Sequence, residues 1–217
     1  GEGVLDQTTV SRADLARLLS AAQGPGAAPG ATILPLVERL ASRPFGEVMV
    51  AIADATPTWA ESVGKRARLT VEGGTLRVPA SLADVLPAVM THLVRNSISH
   101  GIELPGARDA AGKDITGHLS ITCTEGPAGV AIEYRDDGAG FDFEKLEAAS
   151  DGKATGAEAA FADGVSTAGG DDLSGRGVGL SAVREELASA GFDIELSNRP
   201  EGGARVRLTE KKKSLFG

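Results

Sequence analysis

The chain has 217 residues, 41% of them apolar but only 4% aromatic, and a formal net charge of −8. This length allows one large domain, or one ordinary domain plus a smaller element, and the negative charge argues against nucleic acid as a partner. The single cysteine, Cys123, excludes an internal disulfide and fits a reducing compartment, and no apolar run reaches the roughly 20 residues that cross a bilayer. We therefore expect a cytoplasmic protein without direct membrane insertion.

The first quarter of the chain contains three amphipathic segments that predict helices. They cover residues 8–22, 32–43 and 45–63, and Pro57 predicts a kink or a break in the third. Because these segments have little else to pack on, residues 1–63 are predicted to form a helical hairpin that dimerises or, alternatively, a simple cap on the next domain. The chain opens on Gly1 rather than Met, and we expect it to be a piece of a longer protein.

From residue 64 onward, short alternating runs predict strands, with helices between them. The strands are predicted at residues 67–72, 119–124, 130–135, 193–197 and 204–209, and the helices at about 82–100 and 178–190. The segment 105–117 is too rich in glycine and charge to belong to the core. Paired strands with intervening helices predict an α+β domain over residues 64–210, one sheet covered on one face by helices. Residues 211–217 are predicted to be a basic tail or linker.

The helix at 82–100 carries polar residues at helical spacing beside its apolar stripe. His92, Asn96 and His100 recur every fourth residue and so share one face, as do Arg95 and Ser99. Gly101 stands where a glycine commonly ends a helix. This pattern is typical of half of a binding site, and the alternative is an ordinary solvated face.

Two glycine-rich turns are further candidates for ligand binding. Asp136 and Asp137 end a predicted strand and precede Gly138 and Gly140, which allow a ligand to approach the backbone closely. A buried carboxylate there can accept a hydrogen bond from an exocyclic amine such as that of adenine, and Asp136 is better placed than Asp137. The second turn, residues 175–179, leads into a helix whose N-terminal N–H groups can hold phosphate. Each turn alone is also compatible with an ordinary polar loop.

Taken in order, these motifs resemble the four sequence boxes of the gyrase, heat-shock, histidine-kinase and mismatch-repair ATPase superfamily. The third box is the segment 161–167. Within the superfamily, His92-Leu93-Val94-Arg95-Asn96-Ser97 with His100-Gly101-Ile102-Glu103 is similar to the chemotaxis-type (CheA-like) histidine kinases, and so are segments 105–113, 164–168 and 174–180. The resemblance covers about residues 64–210. It implies the Bergerat-type ATP-binding fold, a two-layer sandwich of a mixed, mostly antiparallel sheet covered by helices on one face.

The resemblance also implies that ATP and Mg²⁺ bind to this chain. Asn96 would hold the metal and would be a catalytic residue together with His92, and Asp136 would read the adenine amine with support from Gly138 and Gly140. The residues implied at the phosphates and in a lid that orders around ATP are Arg95, His100, Ser166, Thr167, Ser174, Gly175, Arg176, Gly177, Val178, Gly179 and Leu180.

His92 separates this chain from the hydrolytic branches of the superfamily. The gyrase and heat-shock branches place a water-activating glutamate four residues before the asparagine, where this chain has His92. The replacement disfavours a gyrase-like ATPase and favours phosphoryl transfer to a substrate imidazole. In such a transfer the protein contributes mainly positioning and charge compensation. We therefore predict an ATP-dependent protein-histidine kinase module of a two-component phosphorelay.

No histidine precedes His92, so these 217 residues contain no acceptor of the ordinary sensor-kinase kind. We expect the acceptor on a histidine phosphotransfer domain elsewhere in the full chain or in trans, a response-regulator receiver downstream, and a homodimer. Asp163 and Val165 replace the usual Pro and Phe of the lid, residues 141–161 form a shorter connection than usual, and Ser99 replaces the usual Asp. The altered lid supports the alternative, a degenerate nucleotide-binding scaffold or regulatory module without kinase turnover.

Overall fold

The computed structural model of the chain describes residues 40–152, 154–162 and 180–211, together with Leu18 and Val37. The first predicted helix and most of the second, the turn at 175–179, and residues 212–217 therefore lie outside the described residues, apart from Leu18 and Val37, which are helical. None of the described helices combines the length and the apolar character that a membrane span requires.

A five-stranded mixed sheet forms one layer of the fold. Its strands are β2 (Ala67–Glu72), β4 (Gly117–Gly126), β5 (Gly129–Asp136), β6 (Phe192–Asn198) and β7 (Ala204–Glu210), in the order β2-β4-β5-β7-β6. The pair β2–β4 is parallel and the other pairs are antiparallel. Two very short strands, β1 (Arg43–Pro44) and β3 (Arg77–Val78), form a separate antiparallel pair.

Helices cover one face of this sheet and form the second layer. They are α1 (Phe45–Ser62), α2 (Ala80–Asn96), α3 (Pro105–Ala110), α4 (Phe143–Ala149) and α5 (Leu180–Ser189), with a π-helical turn at Ser97–Gly101 and a 3₁₀ turn at Gly156–Phe161. Burial alternates along the strands, as for Leu119, Ile121 and Cys123 of β4, because side chains of period two point to opposite faces. The predicted α+β fold with one covered face is confirmed.

The parallel pair explains why α2 lies over the sheet. Parallel strands need a crossover of a dozen or more residues, and here residues 73–116 with α2 supply it. The connection returns to the sheet at Gly117, where an added Cβ would lie 2.7 Å from Ile102 Cγ2, so the end of the crossover packs directly on the start of β4. Since Leu119 of β4 pairs with Asp136 of β5, the C-terminal end of β5 lies at the same end of the sheet.

Helix α1 packs into the same core as the sheet. Phe45, Met49, Ile52 and Ala60 are at most 4% exposed and belong to the cluster that includes the apolar residues of α2 and the strands. The helix contacts both α2 and β2 and continues through Pro57 without a break. The boundary predicted at residues 63–64 stays a prediction, but α1 lies against the sheet domain rather than apart from it.

The structure differs from the sequence prediction at two places. The helix predicted to end at about His100 does continue to Gly101, but it changes from α to π geometry after Asn96. The segment 105–117, judged too polar for the core, contains Arg108, whose residue exposure is only 1%. Both differences lie beside Asp136, at the end of the sheet where the candidate site is located.

Candidate functional site

Asp136 is a buried carboxylate at the end of β5. It is 1% exposed, and its Oδ1 accepts the N–H groups of Gly138 and Ala204, each at 3.0 Å. Its Oδ2 accepts the hydroxyl of Ser97 at 2.5 Å. The structure gives Asp136 no ion pair among the described residues, although Arg199 Nη1 donates to its backbone oxygen at 2.7 Å. Because a carboxylate offers about four acceptor positions, one remains for a further donor such as an exocyclic amine.

Close backbone contact places the Asp136 turn (residues 136–140) against the π turn. An added Cβ at Gly138 would lie 2.4 Å from the carbonyl oxygen of Gly101, and Ala139 N donates to that same oxygen at 2.9 Å. Gly101 in turn faces the carboxylate, since an added Cβ there would lie 3.7 Å from Asp136 Oδ2. Gly140 has a φ of +82°, a region that favours glycine. The glycines therefore allow the turn and the helix end to approach each other closely around the buried carboxylate.

His92 and Asn96 form a hydrogen-bonded pair on the last turns of α2. Asn96 Nδ2 donates to His92 Nε2 at 2.8 Å, and both side chains are half-buried. Burial lowers the pKa of His92 below its usual value, which keeps the imidazole neutral and able to accept this hydrogen bond at neutral pH. Since Nδ2 is the donor, the amide oxygen Oδ1 is the atom with which Asn96 can bind a hard cation.

Arg95 and His100, which were also predicted to lie on this helix, have different surroundings. The Arg95 guanidinium stacks 5.0 Å from the centroid of Trp59 on α1. His100 is exposed, within the π turn. The hydrogen bonds of a π turn span five residues instead of four, and the shared face of His92, Asn96 and His100 stays a prediction.

The π turn itself is capped by a residue that the sequence did not single out. Lys65 Nζ donates to the carbonyl oxygens of Ile98 and Ser99, each at 2.7 Å. Burial lowers the pKa of Lys65, and the charge of Glu103 acts in the opposite direction. Carbonyl groups at a helix end lack intrahelical partners, and this lysine satisfies two of them beside the site.

A charge cluster of four residues includes and contacts the Asp136 turn. We define it as Glu103, Arg108, Lys113 and Asp137. Arg108, whose side chain is fully buried, donates to Glu103 Oε2 and Asp137 Oδ2, each at 2.8 Å. Lys113 Nζ donates to Glu103 Oε1 at 2.7 Å and to the Asp137 carbonyl at 2.9 Å. The sequence did not point to this role for Arg108 and Lys113, because both lie in a segment with the composition of a loop and their partner Asp137 is distant along the chain.

Opposing effects set the protonation of this cluster. Burial alone would raise the pKa of Glu103, but hydrogen bonds from Lys113 and Arg108 outweigh it and the pKa is lowered. Burial alone would lower the pKa of Arg108, yet the hydrogen bond and the charge of Asp137, followed by those of Glu103, raise it above its usual value. Both groups are therefore ionised at neutral pH, and the cluster balances two positive charges with two negative ones.

The residues predicted at the phosphates fall mostly outside the described residues. These are Ser166, Thr167, Ser174, Gly175, Arg176, Gly177, Val178 and Gly179. Leu180, the first residue of α5, is 2% exposed and its side chain belongs to the hydrophobic core, which leaves its backbone for any ligand contact.

Within the described part of the chain, no three His, Cys, Asp or Glu residues lie together as a metal site. A Mg²⁺ ion held by Asn96 would take its other ligands from phosphate and water, as this ion commonly does.

Comparisons with known proteins match more than half of this chain to one family. Residues 83–214 match the family described as histidine kinase-, DNA gyrase B-, and HSP90-like ATPases. The chemotaxis protein CheA of Salmonella typhimurium is 35% identical over 160 residues, 69% of this chain and 24% of that protein. The gliding motility regulatory protein of Myxococcus xanthus is 30% identical over 179 residues, 76% of this chain and 23% of that protein. The chain thus spans about a quarter of the length of the curated relatives it matches.

Among solved structures, the catalytic domain of histidine kinase ThkA is similar in fold. The TM-score is 0.52 at 18% sequence identity, and the match covers 78% of this chain and 95% of that domain. Identity at this level supports the fold alone.

Proposed function

The chain belongs to the family of histidine kinase-, DNA gyrase B- and HSP90-like ATPases, and from this membership we propose that it is the catalytic module of a protein-histidine kinase. The module would transfer the γ-phosphoryl group of ATP to a histidine on a separate phosphotransfer domain. The observation that carries the proposal is the buried Asp136 carboxylate, which accepts a hydrogen bond from Ser97, the residue directly after Asn96 of the His92–Asn96 pair. A candidate group for reading the base thus lies next to the helix end that bears a candidate amide for the metal.

Recognition of the base would depend on Asp136. Its three hydrogen bonds come from Ser97, Gly138 and Ala204, so the carboxylate is held in one orientation before a ligand arrives. The remaining acceptor position suits the 6-amino group of adenine, because a carboxylate accepts hydrogen bonds and cannot donate one when ionised. A purine with a 6-carbonyl oxygen would place two acceptors against each other and should be rejected.

The metal end would depend on Asn96. A bound Mg²⁺ would neutralise charge on the phosphates of ATP, and Asn96 Oδ1 is the protein atom that would hold it. The neutral His92 accepts from Asn96 Nδ2 and so orients the amide with its oxygen available to the cation. We propose that His92 also contacts the phosphate end, together with His100 and Arg95, and that the turn at 175–179 wraps the phosphates.

The chemical step would exchange one bond to phosphorus for another. The bond from the γ-phosphorus to the bridging oxygen breaks as a bond from that phosphorus to an imidazole nitrogen of the acceptor forms, and ADP leaves. Positioning and charge compensation supply most of the catalysis in such transfers. His92, in place of a water-activating glutamate, favours an imidazole over water as the acceptor.

The partners follow from the same proposal. The acceptor would be a histidine phosphotransfer domain, in the full chain or in trans, and a response-regulator receiver would accept the phosphoryl group from it. Residues 1–63 would contribute to a homodimer. CheA of Salmonella typhimurium, a protein of chemotaxis by its name, supports a signalling role of this kind.

Transfer of labelled phosphate tests the proposal. The chain is incubated with γ-labelled ATP, Mg²⁺ and a purified chemotaxis-type phosphotransfer domain, and we expect label on that domain in an acid-labile, base-stable form. Asn96→Asp and an acceptor domain whose histidine is replaced by glutamine are the controls, and neither reaction should transfer label. Mg²⁺–ATP binding without transfer would instead identify a nucleotide-binding scaffold, and absence of ATP binding would contradict both functions.

A further inference from the structure

The charge cluster connects the end of the crossover to the turn that presents Asp136. Glu103 follows the π turn, Arg108 lies in α3, and Asp137 directly follows Asp136 at the end of β5. Arg108 also donates through Nε to the carbonyl oxygen of Asp114 at 2.5 Å. One fully buried guanidinium therefore joins three separate segments of the chain around the Asp136 turn.

Part of the cluster holds backbone atoms of that turn directly. Lys113 Nζ donates to the carbonyl oxygen of Asp137 at 2.9 Å and contacts that of Gly138 at 3.5 Å. The Asp137 side chain is held at both oxygens, with Oδ2 accepting from Arg108 and Oδ1 from the backbone N–H of His118, at 2.8 and 2.9 Å. The residue after Asp136 is therefore fixed in both its main chain and its side chain.

The energetics of buried ion pairs favour an orienting role over a stabilising one. Desolvation of two charges commonly offsets their attraction, so a well-packed apolar group of similar volume often stabilises a fold as well or better. A planar guanidinium that donates to two carboxylates instead fixes the orientation of those carboxylates and of the chain segments that carry them. In this structure, one of those segments is the Asp136–Gly138 backbone, which carries the carboxylate proposed to read the base.

We propose that Arg108, acting through Glu103, Lys113 and Asp137, is a positioning residue that sets the preference for a 6-aminopurine nucleotide. The proposal rests on the function proposed above, in which Asp136 accepts the amine of ATP. Arg108 does not touch the ligand. It holds the Asp136 turn so that the fourth acceptor position of the carboxylate faces the amine, and a loosened turn would accept amine and carbonyl purines with similar affinity.

The test compares the affinities for ATP and for inosine triphosphate, which has a carbonyl oxygen at the purine 6-position. Equilibrium binding with Mg²⁺ is measured for the wild type, Arg108→Lys, Lys113→Met and the control Arg207→Lys, an exposed arginine of β7. We expect the wild type to prefer ATP by about tenfold or more, the value of one hydrogen bond to a charged group. Arg108→Lys should lose most of this preference, Lys113→Met part of it, and Arg207→Lys none.

The outcomes separate the two proposals. If the wild type binds neither nucleotide or does not distinguish them, base reading by Asp136 is wrong. If the wild type prefers ATP and Arg108→Lys lowers thermal stability while keeping the ratio, the cluster is only structural and the positioning role is wrong. Should Arg108→Lys fail to fold, Lys113→Met decides, because Lys113 is partly exposed and its loss removes the contact to the turn. An unchanged ratio in a folded Lys113→Met protein overturns the inference.

Discussion

The Asp136 turn and the His92–Asn96 pair are the two regions of the proposed site, and they are built in different ways. Asp136 is 1% exposed and takes hydrogen bonds from residues 39 and 68 positions away in the sequence, Ser97 and Ala204. Asn96 is half-buried, and the hydrogen bond that orients it comes from a residue one helical turn earlier. The first region is assembled by the fold, whereas the second is assembled by one helix.

This difference predicts how each region responds to mutation. Removing a group from the Asp136 turn leaves buried donors without partners and should disturb the fold and ligand binding together. Removing a group from the His92–Asn96 pair leaves groups that water can reach, and it should disturb ligand binding alone. Substitutions in the two regions should therefore differ in their effect on stability.

Asp136→Ala should have the largest effect. The substitution leaves the Ser97 hydroxyl and the N–H groups of Gly138 and Ala204 buried without an acceptor, at about 1–3 kcal/mol each, so we expect a loss of about 3 kcal/mol or more in the free energy of unfolding. Urea denaturation measures this loss, and a titration with ATP should show no binding. A variant within about 1 kcal/mol of the wild type would contradict the preorganised carboxylate.

Gly138→Ala tests the close contact between the Asp136 turn and the π turn. The new Cβ would lie 2.4 Å from the Gly101 carbonyl oxygen, a backbone atom that cannot rotate away. We expect about 1–3 kcal/mol of destabilisation in urea unfolding, as for overpacked sites, and weaker ATP binding. Gly106→Ala is the matched control, because an added Cβ there meets no atom within 4 Å, and it should not destabilise the protein. Equal effects of the two substitutions would argue against the contact.

Asn96→Ala should separate binding from stability. Alanine is the better helix former, so the free energy of unfolding should stay within about 0.5 kcal/mol of the wild type or rise slightly. The Mg²⁺-dependent affinity for ATP should fall by about tenfold or more, which corresponds to about 1.4 kcal/mol. Urea unfolding measures the stability, and isothermal titration with ATP, with and without Mg²⁺, measures the affinity. If the variant loses stability comparable to Asp136→Ala, the contrast between the two regions is wrong.

The pH dependence of His92 should give the smallest effect. Burial lowers its pKa below the usual 6.5, so as the pH falls the unfolded chain takes up a proton at His92 before the folded protein does. The stabilisation is present above pH 6.5 and is lost as the pH falls through the lower pKa of the folded state.

Urea unfolding at about pH 7.5 and about pH 5.5 measures the loss, and His92→Gln should lose less stability over this interval than the wild type. Glutamine keeps an acceptor for Asn96 and does not titrate, which makes it the suitable comparison. An equal loss in both proteins would show that other groups account for the acid sensitivity.

Sequence patterns predicted the local parts of this structure well. The strand at Ala67–Glu72 follows from alternation, and β4 and β5 extend their predicted runs by a few residues at the ends. The preference for Asp136 over Asp137 as a buried acceptor also agrees with the structure, because Asp137 is paired with Arg108. These features depend on neighbouring residues, whose periodicity records which side of an element is buried.

Other parts of the site could not be predicted from local pattern. The π turn at Ser97–Gly101 is capped by Lys65, which lies 33 and 34 positions from the two residues whose carbonyl groups it contacts. A helix that continued regularly to His100 was the better local hypothesis, since nothing within the segment itself indicates the change in hydrogen bonding.

Sequence patterns are enough to predict an α+β domain, and the resemblance of its motifs to an ATP-binding family is enough to single out Asn96 and Asp136. The burial of Arg108, in contrast, is visible only in the folded chain. A charged side chain is normally excluded from a core because of its desolvation, and it can enter only when partners compensate its charge. Here Asp137, 29 positions along the chain, is such a partner, and no local pattern records that it meets Arg108 beside the carboxylate of Asp136.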